Sequence, residues 1–179
     1  NDRLKLKYKN VELIEYSLED INRNFLNKYQ KWIKTTTVNK YLEKKSSSKK
    51  DLIKFLNHMI KSKNNILFKI LFQQKHIGNL RLSFDKVNVG FGIMIGNPDF
   101  HNKKISTKAF YMILKLIFIK LNKKKITLKS ANQNLPAMKL YRKFMMKERK
   151  QNNKFTEFYY TRQYYLKIRK YLNKIVNKN

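Results

Sequence analysis

The chain has 179 residues, of which 42% are hydrophobic and 13% aromatic, so it can bury one core and is not a disordered chain. Lys and Arg number 42 against 11 Asp and Glu, a formal net charge of +31 that attracts nucleic acids, nucleotide cofactors and anionic membrane surfaces. The absence of cysteine excludes disulfides, thiolate zinc sites and cysteine nucleophiles. Three scattered histidines, His58, His76 and His101, predict no metal site.

The partners and the compartment follow from the same composition. No apolar run reaches the roughly 18 residues of a membrane span, and residues 1–10 lack the apolar segment of a secretory signal. We therefore expect a cytoplasmic protein without a membrane span. Lys, Asn and Ile have A/T-rich codons and recur throughout the chain, so part of the charge can reflect codon drift. Nucleic acid is accordingly a partner that the charge allows but does not favour.

The first part of the chain predicts one strand and two helices. Residues 11–17 alternate like a strand, and a helix is expected over residues 18–33 with Ser17 as its N-cap and Asp20 in its first turn. A polar connection over residues 35–41 follows. A second helix is predicted over residues 48–61, where apolar residues recur at helical spacing and Ser48 begins a capping-box pattern.

The middle of the chain predicts a sheet. Residues 66–72 are strand-like, a Gln-Gln-Lys turn follows, and residues 76–84 and 87–95 form two further strands. Sequential strands with short connections are typical of an antiparallel meander. Gly90 and Gly92 lie inside the third of these strands, where interior glycines mark either a bulge or a packing accommodation.

The last part of the chain alternates between helices and strands. Helical periodicity covers residues 106–121, a short strand covers residues 125–130, and Pro136 fits the first turn of a helix over residues 135–144 with Asn134 as its cap. A closing strand is expected over residues 155–166 and a basic helix over residues 167–175. The order of elements predicts an α+β fold, with helices on the faces of a mixed, mostly antiparallel sheet.

Two segments could carry chemistry. A strand runs through the loop around His101, Lys103 and Lys104 into a helix, and a helix start presents unpaired N–H groups that attract anions. Tyr141 lies on a helix and could donate its phenolic proton, or it could be a tyrosine at the rim of the core. His76 and His101 could act as bases, and Asp99 and Glu43 are acidic residues near plausible clefts. None of these acids belongs to a pair that signals general acid–base chemistry.

Three stretches together resemble the GNAT superfamily of acetyl-CoA-dependent N-acetyltransferases, and especially its branch of ribosomal-protein-alanine and amino-sugar acetyltransferases. HIGNLRLSF is similar to one of the family's strands, and VGFGIMIGNPDFHNKKISTKAF looks like its passage from strand to cofactor loop to helix. ANQNLPAMKLYRKF resembles its tyrosine helix. The resemblance covers residues 11–166, with residues 1–10 as an N-terminal extension and residues 167–179 as a basic C-terminal helix or tail.

The resemblance implies the residues of a binding site. The pantetheine arm of acetyl-CoA would pair with Ile93, Met94 and Ile95, and no metal would be required. Tyr141 would protonate the departing thiolate. The remaining residues implied for cofactor binding are those of the pyrophosphate loop and the helix cap, namely His101, Asn102, Lys103, Lys104, Ile105, Ser106, Thr107 and Asn134.

The loop departs from the family pattern, which leaves alternatives open. Lys104 occupies the position of the family's central glycine, where glycine allows a positive φ, and Lys108 stands where a glutamate is usual. The leading interpretation is an enzyme that acetylates a primary amine of a protein N-terminus or an amino sugar, as a monomer or homodimer. One alternative is an eroded domain that only binds CoA. Another is a basic RNA- or ribosome-associated protein. Trp32, Lys40 and Tyr41 would shape the acceptor pocket.

Overall fold

The computed structural model describes residues 2–35, 48–86, 88–101, 103–150 and 152–178, and it shows an α+β fold. The chain divides into two compact units, one of residues 1–83 with 92–105 and one of residues 84–91 with 106–179. The described strands are β1 Lys5–Tyr8, β2 Val11–Glu15, β3 Asn65–Phe72, β4 Lys75–Phe84, β5 Val89–Ile95, β6 Lys125–Ala131, β7 Lys147–Lys150 and β8 Phe155–Thr161. The described helices are α1 Arg23–Lys34, α2 Lys49–Lys61, α3 Ile105–Lys115, α4 Leu135–Lys143 and α5 Arg162–Asn177.

The first sheet has the strand order β1-β2-β3-β4-β5, and the short connections predict its β3-β4-β5 part. The turn between β3 and β4 uses two positive-φ residues, Gln73 at 49° and Gln74 at 66°, and such turns match the twist of the paired strands. The helix α2 begins after Ser48, whose side chain accepts a hydrogen bond from Asp51 N. Apolar side chains from α1, α2 and β3 share one core with Tyr16, which follows β2. The core consists of Tyr16, Phe25, Leu26, Ile33, Leu52, Leu56, Met59 and Leu67.

Two expectations for the first unit need correction. Residues 1–10, expected as an extension, contain β1, whose Lys5 pairs with Ile14 of β2. The helix expected over residues 18–33 is broken after a single 3₁₀ turn, Leu18–Asp20. Asp20 accepts a hydrogen bond from Ser17 N at 2.9 Å, and Asn22 then provides a second cap by accepting from Phe25 N at 3.0 Å. The α-helix therefore begins only at Arg23, because each cap holds its own residue in an extended conformation.

The second unit has its own antiparallel sheet in the order β6-β8-β7. One face of β6 and β8 is buried, through Ile126, Leu128, Phe158 and Tyr160. The helix α3 continues into a π-helical turn, Leu116–Lys120, in which Leu121 N donates to Leu116 O at 2.9 Å. The expected helix over residues 106–121 therefore exists but changes its hydrogen-bond pattern near its end.

Two C-terminal expectations also need correction. The strand expected over residues 155–166 ends at Thr161, whose side chain caps α5 by accepting from Tyr164 N at 3.2 Å. The final helix consequently begins at Arg162, five residues earlier than its expected start at residue 167. The strand β7 was not predicted, because four consecutive charged residues show no alternation of apolar and polar side chains.

Candidate functional site

Hydrogen bonds fix both ends of the segment that follows β5, residues 96–101. Gly96 N donates to Ile77 O at 2.9 Å, and the Nε2 of His101 donates to Ile95 O at 2.8 Å. Gly96 also lies against the indole of Trp32, so that a Cβ at this position would overlap the ring. The 3₁₀ turn Pro98–Phe100 lies between these two hydrogen-bonded residues in the chain. The histidine expected to be a possible base therefore has a structural partner in the chain.

The loop that follows presents positive charge at the start of α3. Lys103 and Lys104 are exposed, and α3 begins at the buried Ile105 with no acidic residue in its first turn. Lys104 has a φ of 56°, the left-handed conformation that glycine adopts most readily. The N-terminal end of a helix carries a partial positive charge. This arrangement suits an anion, and of the loop residues named above only Asn102 lies outside the described residues.

Two further predicted residues have hydrogen bonds to their own surroundings. Thr107 is buried, and the Nζ of Lys143 on α4 donates to its Oγ1 at 3.4 Å. Ser106 is half-buried beside it. Asn134 caps α4, since its Oδ1 accepts from Ala137 N at 3.3 Å. The side-chain oxygen of Asn134 therefore starts the helix that carries Tyr141.

Tyr141 is a buried tyrosine in an apolar environment. Its side chain packs against the rings of Phe158 at 5.1 Å, Phe110 at 5.6 Å and Phe91 at 6.5 Å between centroids. Burial raises the pKa of its hydroxyl well above the ordinary value, so the phenol remains protonated. Its hydroxyl makes no hydrogen bond to another residue in the described part of the chain. The O–H group is therefore a proton donor that a ligand can use.

The strand segment predicted for pantetheine is accessible in part. Ile93, Met94 and Ile95 at the end of β5 are half-buried. Gly92 has no heavy atom among the described residues within 4 Å of the place where a Cβ would stand, and it has no positive φ. Neither backbone conformation nor close packing therefore explains this glycine. The bulge that the structure does describe lies in β4, where Gly78 pairs with Ile70 but His76 pairs with Leu71.

That bulge builds a polar cluster that sequence reasoning missed. It brings His76 and Asn79 together, with the Nε2 of His76 at 3.1 Å from Asn79 Oδ1 and 3.0 Å from Gly78 O. The hydroxyl of Tyr16 donates to the same Asn79 oxygen. Burial, together with the positive charge of nearby Lys28, lowers the pKa of His76 to about 4. The alternation of a regular strand would place His76 and Asn79 on opposite faces, so no sequence signal showed this cluster.

Trp32 is one of the three residues expected to shape the acceptor pocket. Trp32 is buried, and its ring centroid lies 5.1 Å from that of His76 in an edge-to-face contact. The Nζ of Lys28 lies 5.2 Å from the indole centroid. Lys40, Tyr41 and Glu43 lie outside the described residues. Over the residues that the structure covers, no group of three or more His, Cys, Asp and Glu side chains is arranged to hold a metal ion.

No helix in the described ranges is both long and apolar enough to span a membrane. The described fold is thus a meander that leads through a basic loop into a helix, followed by a second antiparallel sheet. The sequence model of the acetyltransferase (GNAT) domain family matches residues 11–147, and the chain belongs to that family.

Solved structures share this fold at low sequence identity. A GCN5-related N-acetyltransferase from Brucella melitensis is 13% identical with a TM-score of 0.78, over 98% of this chain and 86% of that one. A spermidine N-acetyltransferase SpeG chimera from Vibrio cholerae and hSSAT is 21% identical with a TM-score of 0.73, over 88% of this chain and 99% of that one. Campylobacter jejuni PseH in complex with acetyl coenzyme A is 16% identical with a TM-score of 0.65, over 84% of this chain and 98% of that one. A search of curated proteins finds no match.

Proposed function

We propose that this protein is an N-acetyltransferase that moves an acetyl group from acetyl-CoA to a primary amine. The observation that carries the proposal is the backbone of the loop at Lys104. The family pattern has glycine at this position, and Lys104 holds a φ of 56° although lysine adopts such angles with difficulty. A loop that keeps the shape without the glycine is what a retained phosphate-binding function requires.

The proposed binding of acetyl-CoA uses the backbone before and after this loop. The pantetheine arm pairs with Ile93, Met94 and Ile95, which are half-buried at the end of β5. The pyrophosphate lies on the N–H groups from His101 to Thr107, and Lys103 and Lys104 supply charge. Campylobacter jejuni PseH, whose structure is in complex with acetyl coenzyme A, supports this cofactor.

The proposed reaction is direct attack of the amine on the thioester. The amine nitrogen bonds to the acetyl carbon, the carbon–sulfur bond breaks, and the CoA thiolate takes the proton of the Tyr141 hydroxyl. The nitrogen then loses one proton, which returns the Tyr141 phenolate to its neutral form. Because ordinary thiols have a pKa near 8.5 and burial raises that of Tyr141, the phenol gives up its proton only together with this return. Tyr141 suits this role because its hydroxyl is protonated and makes no hydrogen bond within the described chain. The acceptor is an amine of a protein N-terminus or of an amino sugar.

A second candidate is a domain that binds CoA without turnover. The identity of residue 104 favours it, because this chain has a lysine where the family's loop has its central glycine. Loss of the loop glycine without loss of the fold is what erosion of an enzyme would produce.

Calorimetry with CoA, followed by acetyl transfer to a panel of amines, separates these candidates. We expect CoA to bind, the Lys103→Ala variant to bind it more weakly, and the Lys31→Ala variant to bind it as the parent does. Turnover on any amine supports the enzyme, and binding without turnover supports the second candidate. No binding at millimolar CoA contradicts both.

A further inference from the structure

Most carboxylates in the described part of the chain already have partners, which disfavours an acceptor that carries several positive charges. Of 11 acidic residues, Glu43 lies outside the described part, and five of the others form ion pairs with Lys or Arg, namely Glu12, Glu19, Asp20, Glu148 and Glu157. Three more accept hydrogen bonds, namely Glu15, Asp51 and Asp85. An acceptor with several ammonium groups needs unpaired carboxylates when it leaves water. The described residues offer such an acceptor few partners.

The second sheet offers the opposite charge. Residues directly paired across antiparallel strands project from the same face. Lys129 is paired with Glu157, which is paired with Arg149, and Tyr159 lies between Thr127 and Lys147 in the neighbouring row. The opposite face of β6 and β8 is buried. We call the face that carries these paired residues the basic face of the sheet. It is formed by Lys125, Thr127, Lys129, Lys147, Arg149, Phe155, Glu157 and Tyr159.

Cations and aromatic rings alternate on the basic face. The Nζ of Lys125 lies 5.3 Å from the ring centroid of Tyr159, and the Nζ of Lys129 lies 4.5 Å from that of Phe155. The face carries one carboxylate, Glu157, which is ion-paired to Arg149 at 2.7 Å, while the Nζ of Lys147 lies 5.1 Å from the ring centroid of Tyr164 on α5. Lys129 and Arg149 are exposed, whereas Tyr159 and Phe155 are half-buried. The face therefore combines exposed positive charge with two half-buried aromatic rings.

We propose that the acceptor is an acidic polypeptide and that it docks in an extended conformation on the basic face; this inference rests on the proposed function. Alternate residues of a strand stand about 7 Å apart, and Lys125 and Lys129 are about 14 Å apart along β6. That spacing matches the alternate side chains of an extended peptide and exceeds the reach of a single sugar phosphate.

Three peptides of equal length test the proposal. Each carries the same free N-terminus, and the alternate positions hold Glu, Gln or Lys. We expect kcat/KM to be highest for the Glu peptide, lower for the Gln peptide and lowest for the Lys peptide and spermidine. The preference should weaken as salt is raised, because exposed charges are screened. Equal values for the Glu and Gln peptides, or a preference for spermidine, would overturn the proposal.

A charge-matched pair of variants locates the surface. Lys125→Gln with Lys129→Gln removes two cations from the basic face, and Lys170→Gln with Lys174→Gln removes two exposed cations from α5. We expect the first pair to lower kcat/KM for the Glu peptide about tenfold and to leave the Gln peptide within about twofold. The second pair should leave both peptides within about twofold. Equal losses from the two pairs would show that net charge alone attracts the peptide.

Fluorescence anisotropy of the labelled Glu peptide separates failure of this proposal from failure of the proposed function. A peptide that binds the parent and the α5 variant, but binds the basic-face variant about tenfold more weakly, supports the docking surface even if no acetyl group is transferred. A peptide that is acetylated yet binds all three proteins equally well excludes the basic face. A peptide that does not bind the parent overturns the proposal.

Discussion

Two buried tyrosines, one in each unit, show how the same side chain can be structural or available to a ligand. The hydroxyl of Tyr16 donates to Asn79 and lies 3.1 Å from the Nε2 of His76. The ring of Tyr141 packs against those of Phe110 and Phe158, and its hydroxyl makes no hydrogen bond within the described chain. Burial raises the pKa of both hydroxyls. A buried hydroxyl with partners contributes to stability, whereas a hydroxyl without a partner in the chain stays available to a ligand.

The largest expected effect is on catalysis at Tyr141. Tyr141→Phe keeps the ring and its packing and removes only the hydroxyl. If that hydroxyl protonates the thiolate, kcat should fall by about 10²–10⁴, since general acid catalysis contributes that much. CoA affinity should change little. Steady-state kinetics with calorimetry measure both, and an activity within about twofold of the parent would remove Tyr141 from the mechanism.

The next effect is on stability and belongs to Tyr16. Tyr16→Phe leaves Asn79 Oδ1 and the Nε2 of His76 without their hydroxyl partner, so the free energy of unfolding should fall by about 1–3 kcal/mol. Tyr141→Phe is the matched control and should change that free energy by less than about 0.5 kcal/mol. Urea denaturation of the two variants measures the difference. Similar losses in both would mean that the two hydroxyls are equally satisfied.

The cluster around Tyr16 also predicts a pH dependence. The pKa of His76 is lowered from 6.5 to about 4 by burial, so between these values the unfolded chain binds the proton more readily than the folded one. The free energy of unfolding should therefore fall as the pH is lowered from 6.5 towards 4. His76→Gln should reduce this fall, whereas His58→Gln, a change at an exposed ring, should not. An unchanged pH profile in the His76 variant would contradict the expectation.

The smallest effect concerns the loop. Lys104→Gly removes a left-handed lysine and should raise the free energy of unfolding by about 1 kcal/mol. Lys9→Gly is a matched control, because Lys9 has a φ of 52° in the hairpin between β1 and β2. Both variants should gain stability, but only Lys104→Gly should weaken CoA binding, because it also removes a charge proposed to hold the pyrophosphate. Stronger binding in that variant would show that the strain of Lys104 outweighs its charge.

The elements with a regular pattern were predictable. The meander, the helix after Ser48 and the cap at Asn134 follow from alternation and from capping residues that act within a few positions of the chain. Errors fell where two local signals compete. Ser17 and Asn22 are both good caps, and the helix begins at the second of them. Thr161 could continue a strand or cap a helix, and its side chain caps α5.

Apart from β1 and β7, the sequence by itself determined the order of the elements, together with the family and the loop that carries Lys103 and Lys104, because these depend on short-range spacing and composition. Only the tertiary structure decided that Lys104 takes a positive φ and that a bulge joins His76 to Asn79. It also decided that the hydroxyl of Tyr16 has partners and that Lys125 lies over Tyr159. The physical reason is distance along the chain: Tyr16 and Asn79, or Lys125 and Tyr159, meet only when strands far apart in sequence pair in a particular register.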